Sequence, residues 1–448
     1  MRTSSHKTLC FLLVLLLLTP SLFAAWWWPF GGKKKSEPIS SHPDLDKRPP
    51  IKVSEQAPSK ADQASVERLQ KLAKDGNANA QLALGKIYFD GLLNQKQDHK
   101  KAFDLFSQAA EQGNPRAMFN LGLCYDGGFG VRKNQAEALL WYNRAAEAGL
   151  PEAQLSAAIL AERNGDYATA LRFLKLRANA GDTGAMHRVA SFMLNGLGAP
   201  ANPEEAVSYL LEASRRGDSR SQVLLADCYQ SGIGVERNYY EMFNWLTLAA
   251  QDGDPEAQAK LGYCYQKGLG IAANAELAYS WFKTAATAAY GPALVYLGDC
   301  YRYGDGTAMD HKKAFESYRS AAELNESTGA FNLAIAYSEG IGTEASAQDA
   351  FKWMKKAADA NLALAQIQLG MYLQQGYGIE KPDPKLALEY FLKAAMLEEP
   401  LGMMQSAKCY LEGVGAEKNP EKAKYWLSKA VASGNRYALE LYEKHFPK

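Results

Sequence analysis

Histidine is scarce in this chain: six in 448 residues, at His6, His42, His99, His187, His311 and His445. No two histidines stand four residues apart, and the one histidine at that distance from a cysteine, His6 before Cys10, falls at the apolar start of the chain, so the helical spacing of a zinc site is missing from the rest. Net charge is equally lacking. Fifty Lys+Arg against 49 Asp+Glu leave +1, which excludes the strongly basic footprint that phosphate neutralisation demands of a nucleic-acid binder. No G-x-S-x-G elbow occurs, and no cysteine and histidine share a catalytic context. The expectation is therefore a chain with no catalytic residue, no metal ligand set and no cofactor. Its length alone would suggest about three globular domains.

Long apolar runs are missing too, apart from Leu9 to Leu18 near the start. Crossing a bilayer takes about 20 apolar residues, so this run falls short. Arg2 and Lys7 precede it, Pro20 and Ser21 break it, and Ala24 and Ala25 follow. That order predicts a secretory signal peptide over residues 1–24, and with it a periplasmic or secreted location. Leu22 would sit at −3 of a cut after Ala24, so an uncleaved signal anchor stays open. Cleavage would remove Arg2 and Lys7 and no acid, taking the formal charge to −1.

Behind the signal stand Trp26, Trp27 and Trp28, then Lys33, Lys34 and Lys35. Tryptophan beside lysine suits a membrane–water interface, which predicts peripheral membrane contact through this tail. Residues 25–60 are rich in Pro, Ser and Lys and carry no hydrophobic period, so they read as a disordered linker.

From residue 61 to 448 one pattern recurs. A small residue is followed five positions later by Gly or Ala, then Tyr three later, with Gly at six and eight. The Gly/Ala anchor falls at Gly85, Gly122, Ala158, Ala190, Ala226, Gly262, Gly298, Ala334, Gly370 and Ala407. Successive anchors lie 37, 36, 32, 36, 36, 36, 36, 36 and 37 residues apart. A fixed period of this length marks a repeat array, so the length is not three domains. Each unit reads as two helices joined by a turn. The first carries the anchor face, the paired glycines end it, and the second bears an aromatic and closes on an alanine pair.

Residues Ala117 to Gly149 show the pattern most fully: Leu121-Gly122, Tyr125, Gly128, Gly130-Val131, Ala138, Trp141-Tyr142, Ala145-Ala146 and Gly149. It resembles the Sel1-like repeat family, a relative of the tetratricopeptide repeats. The resemblance implies an all-α, right-handed α/α solenoid of about ten helix-turn-helix repeats. It also implies an adaptor or scaffold that binds another envelope or secreted protein through its concave face. Ser65 to Gly76 and Asn435 to Phe446 then read as lone helices closing the two ends.

Five cysteines share the position two after the anchor: Cys124, Cys228, Cys264, Cys300 and Cys409. Equivalent positions in adjacent α-repeats lie on the order of 10 Å apart, beyond disulfide reach. They are expected to be small buried hydrophobes. Secreted Cys-rich relatives carry a second cysteine set per repeat, which this chain lacks.

The third unit is shortened, with Ala161 in place of the Tyr and Asn164-Gly165-Asp166 in place of the glycine turn. Arg163, Arg172, Lys175 and Arg177 around it suggest a basic patch for an acidic partner. The other reading is simple drift in a unit that still stacks.

Positions −2, +1 and +5 from the anchor form a stripe opposite the small-residue face. In the middle repeats this stripe holds Lys260, Tyr263 and Lys267, then Tyr296, Asp299 and Tyr303, with Asn332 in the next unit. Tyrosine with charge suits protein recognition, so these seven are the expected protein-binding residues. Two other functions compete with the adaptor: a hydrolase of cell-wall-derived or β-lactam-like substrates, and a secreted, host-directed effector.

Overall fold

The computed structural model describes residues 60–447, with side chains from Ala64 onward. The expected signal (1–24), the tail residues Trp26, Trp27, Trp28, Lys33, Lys34 and Lys35, and the linker up to residue 59 lie outside the described residues. Among the described residues are twenty-two α-helices and no strand, and none of the helices is long and apolar enough to cross a membrane.

Two bodies divide the chain. The first ends at Arg237. Here α1 (Lys60–Lys74) precedes the pairs α2 (Ala78–Asp90) with α3 (His99–Glu111) and α4 (Pro115–Gly127) with α5 (Gln135–Glu147). Next come α6 (Pro151–Arg163) with α7 (Tyr167–Asn179), α8 (Thr183–Asn195) with α9 (Pro203–Arg215), and α10 (Ser219–Ser231). The second body begins at Asn238 with α11 (Tyr239–Gln251). It continues through α12 (Pro255–Lys267) with α13 (Ala275–Thr287), α14 (Gly291–Tyr303) with α15 (His311–Glu323), and α16 (Ser327–Glu339) with α17 (Ala347–Asp359). It closes with α18 (Ala363–Gln375) and α19 (Pro384–Met396), α20 (Pro400–Glu412) and α21 (Pro420–Ala432), and the lone α22 (Arg436–His445).

Polar caps set the helix starts. Asn114 Oδ1 accepts from Ala117 N at 3.1 Å ahead of α4, whose first residue is Pro115. Asn274 Oδ1 accepts from Leu277 N at 2.9 Å ahead of α13. Each occupies a free N–H of the first turn that has no partner within the helix. At the other end Gly268 closes α12 with φ +71°, and its N–H reaches Cys264 O at 2.8 Å. The second glycine of this turn has a further reason. A Cβ on Gly270 would run into the carbonyl oxygen of Tyr239, at the start of α11. A tight reversal accounts for Gly268, whereas Gly270 is required by packing between successive repeats.

The anchor is small because a ring lies on it. A Cβ on Gly298 would meet Tyr318 Cε1 at 2.5 Å, and one on Gly122 would meet the Tyr142 ring at 2.6 Å. Phe106 covers Gly85, Phe282 covers Gly262 and Phe391 covers Gly370 in the same way. Where the anchor is Ala, the corresponding second-helix residue shrinks to Leu174, Leu210, Leu246, Met354 or Leu427, all fully buried. The anchor and the residue opposite it are matched in size, as a close-packed interior requires.

Two more contacts tie one repeat to the next. The expected Tyr meets an aromatic of the preceding second helix edge-on: Phe103–Tyr125, Phe243–Tyr265, Tyr279–Tyr301 and Phe315–Tyr337, with centroids 5.4, 5.5, 5.7 and 5.2 Å apart. A buried glutamine four residues before the anchor also reaches back to the end of the preceding second helix. Gln258 Nε2 donates to Ala250 O at 3.2 Å, and Gln366 Nε2 to Ala358 O at 3.2 Å. Each bond adds a second donor to a carbonyl at the helix C-terminus that also accepts from the turn, Ala250 O from Gly253 N and Ala358 O from Asn361 N.

The five cysteines are buried and unbridged. Burial pushes the thiols of Cys124, Cys228, Cys264 and Cys300 up to about 12 and that of Cys409 up to about 11. The shortened third unit is a complete helix pair, α6 with α7, in which Asp166 Oδ1 caps α7 by accepting from Thr169 N at 3.1 Å. Its suggested basic patch needs correction. Arg172 lies 3.3 Å from Glu147, Lys175 3.1 Å from Glu205 and Arg177 2.5 Å from Asp182. Three of the four cations are thus already ion-paired within the chain.

Candidate functional site on the first-helix face

The stripe at −2, +1 and +5 can be checked in the first body. Lys86 and Asp90 hold +1 and +5 from Gly85, and Asn120 and Leu123 hold −2 and +1 from Gly122. These four line one cleft of about 390 Å³ together with Arg116 and Glu152. In the first body four residues of this register, on α2 and α4, thus line one cleft.

In the second body the same register brings most of the seven expected residues together. Successive first helices touch, α12 against α14 and α14 against α16. The Tyr263 and Tyr296 rings lie 5.9 Å apart, and Tyr296 stacks on Phe282 at 4.7 Å. Asp299 follows on α14, half-buried, and accepts a 2.6 Å hydrogen bond from the Tyr318 hydroxyl. Tyr303 completes the row and is 55% exposed. The exposed Lys267 holds its Nζ 5.8 Å from the centre of the Tyr263 ring.

Not all seven are available to a ligand. Lys260 is wholly buried, its Nζ 3.0 Å from Glu256 Oε1, and Tyr263 is buried as well. A buried ammonium held by a partly exposed carboxylate, and a buried ring, support the surface from beneath. Asn332 is half-buried on α16 and makes no hydrogen bond to the other six. Lys267, Tyr296, Asp299, Tyr303 and Asn332 remain as the reachable set.

Burial dominates the electrostatics here. It pushes the Asp299 carboxyl up to about 6, although the Tyr318 hydrogen bond and the positive charges of Arg302 and Lys267 pull the other way. Asp305 adds to the rise. Burial also raises the hydroxyls of Tyr263 and Tyr303, and that of Tyr296 further still. All three tyrosines stay neutral hydrogen-bonding groups at ordinary pH.

The sequence reading missed Arg302, Glu339 and Tyr318. Arg302 ion-pairs with Glu339 at 3.1 Å and so bridges α14 to α16. Glu339 stands at +5 from Ala334, the position already chosen for Lys267 and Tyr303, so extending the register would have found it. Tyr318 arrives from a second helix and had no such signal.

Elsewhere the fold gathers His187, Ser221 and Asp218. Ser221 Oγ donates to Asp218 Oδ2 at 2.5 Å, while His187 Nδ1 lies 3.4 Å from that Oγ. The same Asp218 oxygen accepts from Ser221 N at 2.9 Å. Asp218 is thus an N-cap holding a fully buried serine, and the histidine is not wedged between acid and nucleophile as an activated serine requires.

The Sel1 repeat pattern matches nine stretches of the chain: 78–114, 115–150, 183–218, 219–254, 255–290, 291–326, 327–362, 363–398 and 400–435. The shortened unit falls in the gap at 151–182, where the structure nonetheless places a helix pair. Among solved structures, the chain is similar to a protective antigen present in uropathogenic Escherichia coli strains, which displays an SLR fold. The two are 31% identical with a TM-score of 0.55, over 85% of this chain and 82% of the other. Among curated proteins, DAP3-binding cell death enhancer 1 of Rattus norvegicus is 35% identical over 92 residues, 20% of this chain and 18% of that protein. The ERAD-associated E3 ubiquitin-protein ligase component HRD3A of Arabidopsis thaliana is 42% identical over 62 residues, 14% of this chain and 9% of that protein. The chain thus spans less than a fifth of either curated relative.

Proposed function

This chain belongs to the Sel1 repeat family, and we propose that it is a non-catalytic adaptor whose first-helix face in the second body binds a protein partner. The observation that carries this reading is the row Tyr296, Asp299 and Tyr303 with Lys267 beside it. These side chains sit in the register that lines a cleft in the first body. Exposed tyrosine next to charge is the composition of a protein-recognition surface. Relatives that include an E3 ligase component and a DAP3-binding protein fit an assembling role.

We place the adaptor outside the cytoplasm, exported by residues 1–24, periplasmic or secreted. Trp26, Trp27, Trp28, Lys33, Lys34 and Lys35 would hold it to a membrane surface, on the chemistry of their side chains.

A photocrosslinking amino acid at Tyr303 in the full chain, expressed in its own cells, tests the reading. The same group at Lys283, exposed on a second helix, is the control. A discrete crosslinked protein from position 303 and none from 283 is the expected result. Equal crosslinking from both, or from neither, would sink the adaptor.

A further inference from the structure

We propose that Asp299 is the seat for a cationic side chain, lysine or arginine, presented by the protein partner, with Tyr296 and Tyr303 as its aromatic walls. This deepens the adaptor reading and rests on it. Three observations carry it.

The first is the unfinished coordination of the carboxylate. Asp299 Oδ1 accepts from Tyr318, and among the described residues its other oxygen receives no hydrogen bond and no ion pair. Asp299 is half-buried on the first-helix face and not fully enclosed.

The second is that the nearby cations are committed elsewhere. Arg302, three residues along the same helix, is held by Glu339 of α16 at 3.1 Å and rests on the Tyr303 ring. Lys267 of α12 leans over the Tyr263 ring. The charges around the seat and its walls are Asp299 and Asp305 on α14 and the turn after it, Glu326 just before α16, Glu339 on α16, Lys267 on α12 and Arg302 on α14. Four negative against two positive leave room for a further cation.

The third is the wall. Tyr296, Asp299 and Tyr303 stand at i, i+3 and i+7 on one helix face, so the two rings flank the carboxylate. Tyr303 carries the Arg302 guanidinium over its ring, at 5.3 Å from the centre, and is still more than half exposed. A ring face beside a carboxylate attracts an ammonium or guanidinium from two sides. An anionic partner would instead meet a half-buried negative charge. Burial already disfavours the ionised carboxyl, so a partner's cation would restore the interaction that lost water no longer provides.

The test is selection of displayed nine-residue peptides on the full chain and on Asp299→Asn at pH 7.5. We expect Lys or Arg to be enriched at one peptide position on the unaltered chain, and that preference to vanish on the Asn variant. A selected peptide should bind Asp299→Asn at least about tenfold more weakly. Its affinity for the unaltered chain should tighten as pH rises through about 6, while the variant's stays flat. Tyr303→Leu, at an exposed site, should weaken the peptide about threefold without touching the fold. Tyr318→Phe leaves the carboxylate in place and should keep the basic preference. Peptides that bind with no basic preference, or equally to Asp299→Asn, would overturn the seat and leave the adaptor standing. Selection of no peptide on either protein would overturn both.

Discussion

Gly262 lies beneath the ring of Phe282: a Cβ placed on it would meet Phe282 Cε1 at 2.7 Å and Cδ1 at 2.8 Å. The same ring stacks on Tyr296, so the anchor of one repeat sets the height of a side chain in the proposed binding groove. Gly262→Ala should cost roughly 1–3 kcal/mol by overpacking. Phe282→Leu alone should cost about 1–2 kcal/mol through the cavity it opens. Together they recreate the Ala–Leu combination of other repeats and should cost at least about 1 kcal/mol less than the sum. Urea denaturation of the four proteins measures the coupling, and strict additivity would refute size matching.

Between repeats the chain turns through positive φ, and four turns of the second body do so without glycine. Ala289, Asn325, Asn361 and Glu398 have φ of 55°, 63°, 63° and 63°. Asparagine tolerates this region; alanine and glutamate are strained there. Ala289→Gly and Glu398→Gly should each raise stability by about 0.5–1 kcal/mol. Ala288→Gly, one residue earlier at φ −85°, should give no gain. Thermal melts of the three variants decide it.

The glutamine clasp predicts a charge-dependent failure. Gln366 is fully buried and its Nε2 donates to Ala358 O. Glu in its place would set a carboxylate against a carbonyl, at a cost of about 2 kcal/mol or more near neutrality. Its raised folded pKa means stability returns as pH falls, so the gap from the unaltered chain should narrow below pH about 5. Gln366→Met should be mild, since Met118, Met186 and Met403 hold the same position elsewhere.

Asp299 should make stability depend on pH in the same sense. Its folded pKa, about 6, lies above its ordinary 3.8, so the folded chain binds more protons between those values. Stability from this group is fully present below pH about 4 and is lost as pH rises through 6. Asp299→Asn should therefore gain on the unaltered chain between pH 4 and 7, by roughly 1–3 kcal/mol once screening is allowed for. A pH-independent difference between the two would contradict this.

The five array cysteines should resist alkylation in the native state at pH 8, because their thiols are buried and raised. Mass spectrometry after iodoacetamide should find them unmodified until denaturant is added. Rapid native labelling of Cys264 would show that the repeat opens.

Much of this was open to reading from the chain itself. Repeat length, helix pairing, the positive-φ turn at Gly268 and the unbridged cysteines all follow from local chemistry and a fixed period, because each repeat touches mainly its neighbours. The groove register was legible for the same reason: on a helix, −2, +1 and +5 share a face in every unit. Tertiary structure decided what spacing cannot carry. Gly270 is held to glycine by a carbonyl thirty-one residues earlier, and Gly262 by a ring on the following helix. Lys260 and Tyr263 look like surface residues in the pattern, yet neighbouring helices enclose them. The special environment of Asp299 arises from Tyr318, brought over by a second helix, and from the packing that removes water around it. A period states which face a residue occupies; only the packed neighbours determine what that face meets.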